Sequence, residues 1–281
     1  MYNFSRRRFL VDIAVLGGRC KDTGPCELFG AETGEWTDLP DMTIARGPGI
    51  AAVTIPRGDS HRIYVFGGGT VDARLRSCEF LDVGTRQWIL LEAESASGKT
   101  FACAVLLDHT TVVICGGVTA DLSGTAICEI FDLDTHTFSP FPDMLEPRIA
   151  HAAVHYNGTI VVIAGYLLSS CEQFDPTVFK WAPFAPLNTI RHSFGAAVID
   201  GCIYVAGCDD SIEVYDGFAW AYATMLHPYP ESASAVVLMG RLVVLGAEND
   251  EINVFDPDTG ATSLLPCMKH GARLSIIAVS F

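Results

Sequence analysis

The sequence predicts an all-β fold, a six-bladed β-propeller whose ring is closed by a C-terminal inner strand pairing with N-terminal strands. Three observations predict it. Short apolar bursts end in glycine, as in IYVFGGG and VVICGGV. The bursts recur at a period of roughly 40–50 residues, the spacing of one sheet unit per repeat. A segment at the C-terminus matches a strand that the first unit lacks.

The units align on their glycines. Gly17-Gly18, Gly67-Gly68 and Gly116-Gly117 end three bursts. Gly165, Gly207 and Gly246 end three more, with Tyr166, Cys208 and Ala247 read in place of the second glycine. A second short run follows each: CELFG, CEFLD, CEIFD, CEQFD, IEVYD and INVFD. A turn then leads to an aromatic at Trp36, Trp88, Phe138, Trp181 and Trp220, replaced in the sixth unit by Thr262. Four units end on LPDM, FPDM, APL or LPCM. A four-stranded blade buries both faces only against its neighbours, so its strands read as continuous apolar runs. Where the strand ends, glycine permits positive φ and close backbone approach. The aromatic is expected in the wedge that widens away from the axis.

These residues resemble the kelch family, whose unit carries a strand, a Gly-Gly doublet, a Tyr-Asp-like pair and a spaced Trp. The resemblance covers essentially the whole chain in six copies, as one propeller domain over residues 1–281. The expected blades are 272–281 with 1–42, then 46–92, 99–144, 148–187, 191–226 and 230–268. The opening SRRRFLVDIAVLGG begins as a twin-arginine export signal does. Yet residues 9–18 share the register of IYVFGG, and Asp12 interrupts the apolar core. They are read as a blade's second strand. ARLSIIAVSF, residues 272–281, matches the inner strands GIAAV and FGAAV and supplies the first blade's missing strand. Closure of this kind protects sheet edges.

Composition bounds the function. A formal net charge of −15, with four Lys and fourteen Arg, argues against nucleic acid or anionic membrane as partner. No apolar run approaches the roughly 18–20 residues of a membrane span. Ten cysteines, several inside apolar runs, read as reduced and packed in a cytoplasmic protein.

Several motifs tempt. AESASGKT, residues 93–100, fits a relaxed P-loop, but an inner strand follows where a helix is needed. His151 and His155 fall on a strand, without a metal-site pattern. The Cys-Glu pairs at Cys26, Cys78, Cys128 and Cys171 hold one equivalent position in four blades and cannot converge on one ion. No catalytic signature, metal site or cofactor is expected. Asp-rich turns such as DPDTG read as turn chemistry.

One position stands out. Seven residues before the site of Val198, the units carry Arg46, Lys99, Arg148, Arg191, Pro230 and Arg273. Inner strands line the central channel, so five cations should encircle one mouth. Two residues on, along the same face, come Ser193, Ser232 and Ser275. In related kelch adaptors this mouth docks partner peptides, and arginines nearby contact acidic motifs. The resemblance thus implies a protein-protein interaction module binding an acidic partner segment through these residues and His192. Such a module would serve as a scaffold or a substrate-recognition subunit, a ubiquitin ligase adaptor by analogy. It is expected to be a monomer unless joined to another subunit. Equally, each Arg could cap its blade by bonding carbonyls or a loop carboxylate. The alternative function is a mutarotase- or epimerase-like propeller enzyme acting on an acidic small molecule or sugar. There Arg and His192 would hold the anion, and Asp209, Asp210 or Glu248 would do acid/base work. With Asp-rich turns on the far face, the disk is expected to be basic at its mouth and acidic beneath.

Overall fold

The computed structural model describes residues 12–17, 25–58, 60–69, 73–226, 232–246, 251–271 and 277–280. They form six four-stranded antiparallel sheets and no helix. Blade 1 runs Ile277–Ser280, Ile13–Leu16, Cys26–Gly30 and Glu35–Leu39 from the axis outward. Blade 2 runs Ile50–Arg57, Ser60–Gly67, Ser77–Asp82 and Gln87–Glu94. Blade 3 has Cys103–Leu106, Thr111–Cys115, Cys128–Asp132 and Thr137–Phe141. Blade 4 has Ala152–Tyr156, Thr159–Gly165, Leu168–Asp175 and Lys180–Phe184. Blade 5 has Gly195–Ile199, Cys202–Ala206, Ser211–Tyr215 and Trp220–Met225. Blade 6 has Ala233–Leu238, Arg241–Gly246, Ile252–Phe255 and Thr262–Leu265. The chain is a six-bladed β-propeller.

The second strands explain the apolar bursts. Ile13 to Leu16, Ile160 to Ala164 and Leu242 to Leu245 have no exposed surface. Each lies mid-sheet with a neighbouring blade on either face, so period-2 alternation disappears. The outermost strands are covered on fewer sides and are mostly exposed, as in the Glu35–Leu39 strand. Apolar side chains collect into six clusters, one at each junction between blades. The junction of blades 6 and 1 has its own, joining Val243 and Leu245 to Ile13, Val15 and Ala278.

Closure occurs as the repeat requires. Ile13 pairs with Ser280, Ala14 with Val279, Val15 with Ala278 and Leu16 with Ile277, all antiparallel. Four bonds lock this seam. The Trp36 indole N–H donates to the Pro266 carbonyl at 3.0 Å. The Lys269 and His270 amides donate to the Glu27 carboxylate at 3.0 Å each. The Ala278 amide donates to Ser234 Oγ at 2.9 Å. The rest of the expected opening strand, residues 9–11 and Gly18, and residues 272–276 lie outside the described residues.

The indole bond is general. Trp88, Trp181 and Trp220 donate to the carbonyls of Pro40, Pro142 and Ala185, at 2.7, 2.7 and 2.9 Å. Each acceptor belongs to the segment leaving the preceding blade. Met42, Met144, Leu187 and Met268 in those segments are buried. The Pro/Met signal is therefore half of an inter-blade lock, and the spaced Trp is the other half.

One register is corrected. In blade 4 the doublet is Ala164-Gly165, not Gly165-Tyr166. Ala164 carries the left-handed φ of 51° that Gly67 and Gly116 have at 62° and 65°. The lost glycine there is the first. Tyr166 and Leu167 instead form a two-residue hairpin tip, closed by the Gly165–Leu168 pair.

Deleting residues 277–281 should leave Ile13–Leu16 as a bare, fully apolar sheet edge. Size-exclusion chromatography is expected to show aggregation of the truncated chain; a well-behaved species with an unchanged melting curve would contradict this closure.

Candidate functional site

The cations predicted to ring the mouth lie inside their blades. Arg46, Arg148 and Arg191 have no exposed surface, and Lys99 has 4%. Each meets the glutamate of the Cys-Glu or Ile-Glu pair in its own third strand. Arg46 Nε donates to Glu79 at 2.7 Å, Arg148 Nε to Glu172 at 3.1 Å and Arg191 Nε to Glu213 at 3.1 Å. Lys99 Nζ donates to Glu129 at 2.9 Å.

The three arginines repeat one bonding scheme. Nη1 donates to the carbonyl at the first doublet position: Gly67, Ala164 or Gly207. It also reaches the carbonyl of Ser77, Ser170 or Ser211. Nη2 donates to the hydroxyl of that same serine. The planar five-donor fork suits this task, and Lys99, a point charge, makes fewer such bonds.

The glutamates are equally occupied. They accept backbone amides from the segment arriving from the preceding blade: Thr43 on Glu79, Ala96 on Glu129, Leu145 on Glu172 and Asn188 on Glu213. Glu27 does this in blade 1 for Lys269 and His270. Burial pushes Glu129 up. Bonds from Ser95 and the Ala96 amide, with the charge of Lys99, outweigh that and hold it below its ordinary value.

The cation residues also stitch blades through their backbones. Gly68, Gly117 and Gly165 amides donate to the carbonyls of Lys99, Arg148 and Arg191 in the following blade. Nearer the axis runs a second, head-to-tail series. Phe101 donates to the Gly49 carbonyl, Ala150 to Phe101, Ser193 to Ala150 and Ala233 to Ser193. Phe101, Ala150 and Ser193 hold left-handed φ values of 57°, 51° and 52° to do so.

The expectation of a cationic, partner-facing ring is thereby corrected. Arg46, Lys99, Arg148 and Arg191, buried and each paired with a glutamate, present no exposed charge at the mouth. Of the two roles open to the arginines, the structure shows the capping one. Ser193 and Ser232 do come together, at the lip of the axial cavity. His192 is half-buried beside them, 3.4 Å from Ser193 Oγ, with its ring 5.4 Å from Tyr166. Arg273, Ser275 and Pro230 lie outside the described residues.

Sequence reasoning took the Cys-Glu pairs for packing alone. Cys26, Cys78, Cys128 and Cys171 are indeed buried, but the glutamates that follow Cys78, Cys128 and Cys171 are the missing halves of cation sites. No disulfide links two described cysteines. The P-loop-like segment lies across Glu129, held by the Ala96 amide, Ser95 Oγ and Lys99. Among the described residues no group of three or more ligating side chains could hold a metal. No helix among them is long and apolar enough to cross a membrane.

Of the acid/base candidates, Asp209 is bonded to Arg191 at 2.6 Å and to Ser211. Glu248 lies outside the described residues. The Asp-rich turns behave as predicted. Asp132, Asp175, Asp216 and Asp256 accept amides two or three residues on. In Asp132 and Asp216 those amide bonds are the largest cause of a lowered pKa.

His151 stands apart. It is buried, and neither ring nitrogen makes a well-formed hydrogen bond. Burial, with the nearby Arg148 charge, drops its pKa to about 3. Its ring also explains a glycine: a Cβ on Gly116 would come within 2.6 Å of His151 Cε1 and 2.8 Å of the Arg148 carbonyl.

Two outcomes follow from these buried groups. Glu172→Gln leaves the Arg148 charge without its buried partner and should cost about 3–5 kcal/mol, read from urea unfolding. Loss of less than about 1 kcal/mol would contradict the pairing. His151 takes up a proton in the unfolded chain below its reference pKa of 6.5 but not in the native one until about 3. Stability should therefore fall as pH drops below 6.5, by up to about 1.4 kcal/mol per pH unit. His151→Phe, carrying the residue Phe194 supplies at the equivalent site, should remove that part of the slope. Equal slopes in the two proteins would disprove it.

Comparison with known proteins agrees with this architecture. No protein-family model matches the chain. Kelch-like protein 23 of Homo sapiens is 26% identical over 182 residues, 64% of this chain and 31% of that protein. The Influenza virus NS1A-binding protein homolog of Mus musculus is 28% identical over 134 residues, 43% of this chain and 21% of that protein. This chain thus covers about a third of the former relative's length and about a fifth of the latter's. Among solved structures, YjhT superposes with a TM-score of 0.71, covering 86% of this chain and 91% of its own, at 14% identity. That likeness shows the fold alone. Six repeats of the kelch pattern, folded into six four-stranded blades, and kelch-like relatives at modest identity support a kelch-repeat β-propeller.

Proposed function

We propose that this propeller is a protein-interaction module that docks a segment of a partner protein on the face bearing the channel mouth. One observation carries the reading. Large apolar side chains stand exposed on the mouth-side loops of three adjacent blades: Leu122, Leu145, Tyr166, Leu167 and Ile190, each more than half exposed. An apolar concentration of this kind marks interaction surfaces. Leu122 and Leu167 also hold left-handed φ values of 68° and 63°, a strain that fits a surface kept for contact.

Kelch-like relatives support the class of function, and one bears a name that says it binds a viral protein. Because the cations face inward, the reading rests on this apolar rim, with Ser193, Ser232 and His192 at its inner edge, and not on an acidic partner segment. A scaffold or substrate-recognition subunit is the role such a face suits.

Affinity capture followed by mass spectrometry tests it, using the wild-type chain and Leu167→Asp. Partners held by the mouth should be lost or weakened at least thirtyfold, about 2 kcal/mol, in the variant. An unchanged set of captured proteins at unchanged affinity would refute the assignment of this face.

A further inference from the structure

At one level of the inner strands all six units carry the same residue: Ala52, Ala104, Ala153, Ala196, Ala235 and Ala278, five residues beyond the cation position except in blade 2, where it is six. All six line one cavity of about 260 Å³ on the propeller axis. Crowding at the axis does not demand them. Two residues further along the same inner strands stand Thr54, Leu106, His155, Val198, Val237 and Ser280. Four of those, together with Ser280, line the next part of the channel. Larger side chains thus fit around the axis one layer down, and Ile50, Phe101, His151 and Phe194 line the cavity above, while the layer between is kept to single methyl groups.

The lining of this cavity is uncharged. Among the described residues it contains no Asp, Glu, Lys or Arg, in a chain of net charge −15. Its polar groups at the lip are the hydroxyls of Ser193 and Ser232. Its size lies below the roughly 300–1,000 Å³ of ordinary small-molecule sites. A space of that size and chemistry suits one large uncharged side chain. Interface energy is often concentrated in an aromatic anchor filling a pocket ringed by weaker contacts.

We propose that the axial cavity receives a single uncharged aromatic side chain from the docked partner segment, with Ser193 and Ser232 bonding that segment's backbone. This deepens the interaction reading and rests on it. The exposed Tyr166, Leu167 and Ile190 surround the approach, and the anchor fills the hollow that the six alanines leave. The recognition element of the partner is then an aromatic residue in an extended or turn segment, not a run of carboxylates.

The test uses two small probes on the full chain by ligand-observed NMR: N-acetyl-tryptophanamide, neutral and aromatic, and N-acetyl-glutamic acid α-amide, a carboxylate. Ala196→Leu fills the cavity, and Ala153→Val fills less of it with less risk to folding; both are checked by thermal melting. The aromatic probe should bind the wild-type chain saturably and at least tenfold more weakly to whichever filled variant melts like it. The carboxylate probe should bind neither. Absence of aromatic binding, equal binding of the carboxylate, or aromatic binding indifferent to filling would each overturn the anchor. A partner captured by the wild-type chain, lost with Leu167→Asp and unaffected by Ala196→Leu or Ala153→Val would also overturn it while leaving the docking face in place. A partner indifferent to Leu167→Asp would remove both.

Discussion

The buried cation–glutamate pair at the top of a blade organises the mouth side of this propeller. Arg46, Arg148 and Arg191 each join three pieces of chain that would otherwise end in unsatisfied backbone: the doublet carbonyl, the start of the third strand and the glutamate gathering amides from the incoming segment. A strand that stops at a Gly pair leaves carbonyls with no ladder partner, and burying them unpaired is costly. The guanidinium satisfies two at once, and its charge makes those bonds stronger than neutral ones. The pair thus fixes where each second strand ends and where each inner strand begins. Those two points set the height of the mouth and the start of the alanine layer.

Much of the ring was legible because repetition reports on packing. Continuous apolar runs marked strands covered on both faces, and the run at 272–281 could be matched to a strand the first unit lacked. The Trp positions were found as bulk but not as donors, because their acceptors lie 39 to 48 residues earlier within the preceding blade's exit segment in Trp88 and Trp181. The blade 4 register was misread because Ala164 occupies a left-handed position that sequence habit assigns to glycine.

The candidate site was legible only in half. The cations were found and their orientation was not. Each acid partner lies 22 to 33 residues downstream on a different strand, a separation with no local periodicity to expose it. The information was nonetheless present, in the sixth unit. There Pro230 stands at the cation position and Asn253 at the glutamate position, so both members change together. Cations meant for an outside ligand would give the internal glutamate no reason to disappear with them.

That joint loss follows from the energetics of buried charge. Removing one member of such a pair leaves the other stranded and costs about 3–5 kcal/mol, whereas replacing both together can be near neutral. A unit therefore keeps both charges or neither. Asn253 is buried, as a neutral amide can be at a site where a lone carboxylate could not. The consequence for recognition is direct. Charge spent inside the blades is unavailable at the mouth, while turn carboxylates such as Asp132, Asp175, Asp216 and Asp256 remain on the strand-three to strand-four turns. What the mouth offers a partner is what the pairs leave behind: apolar loops, two serine hydroxyls and an alanine-lined hollow.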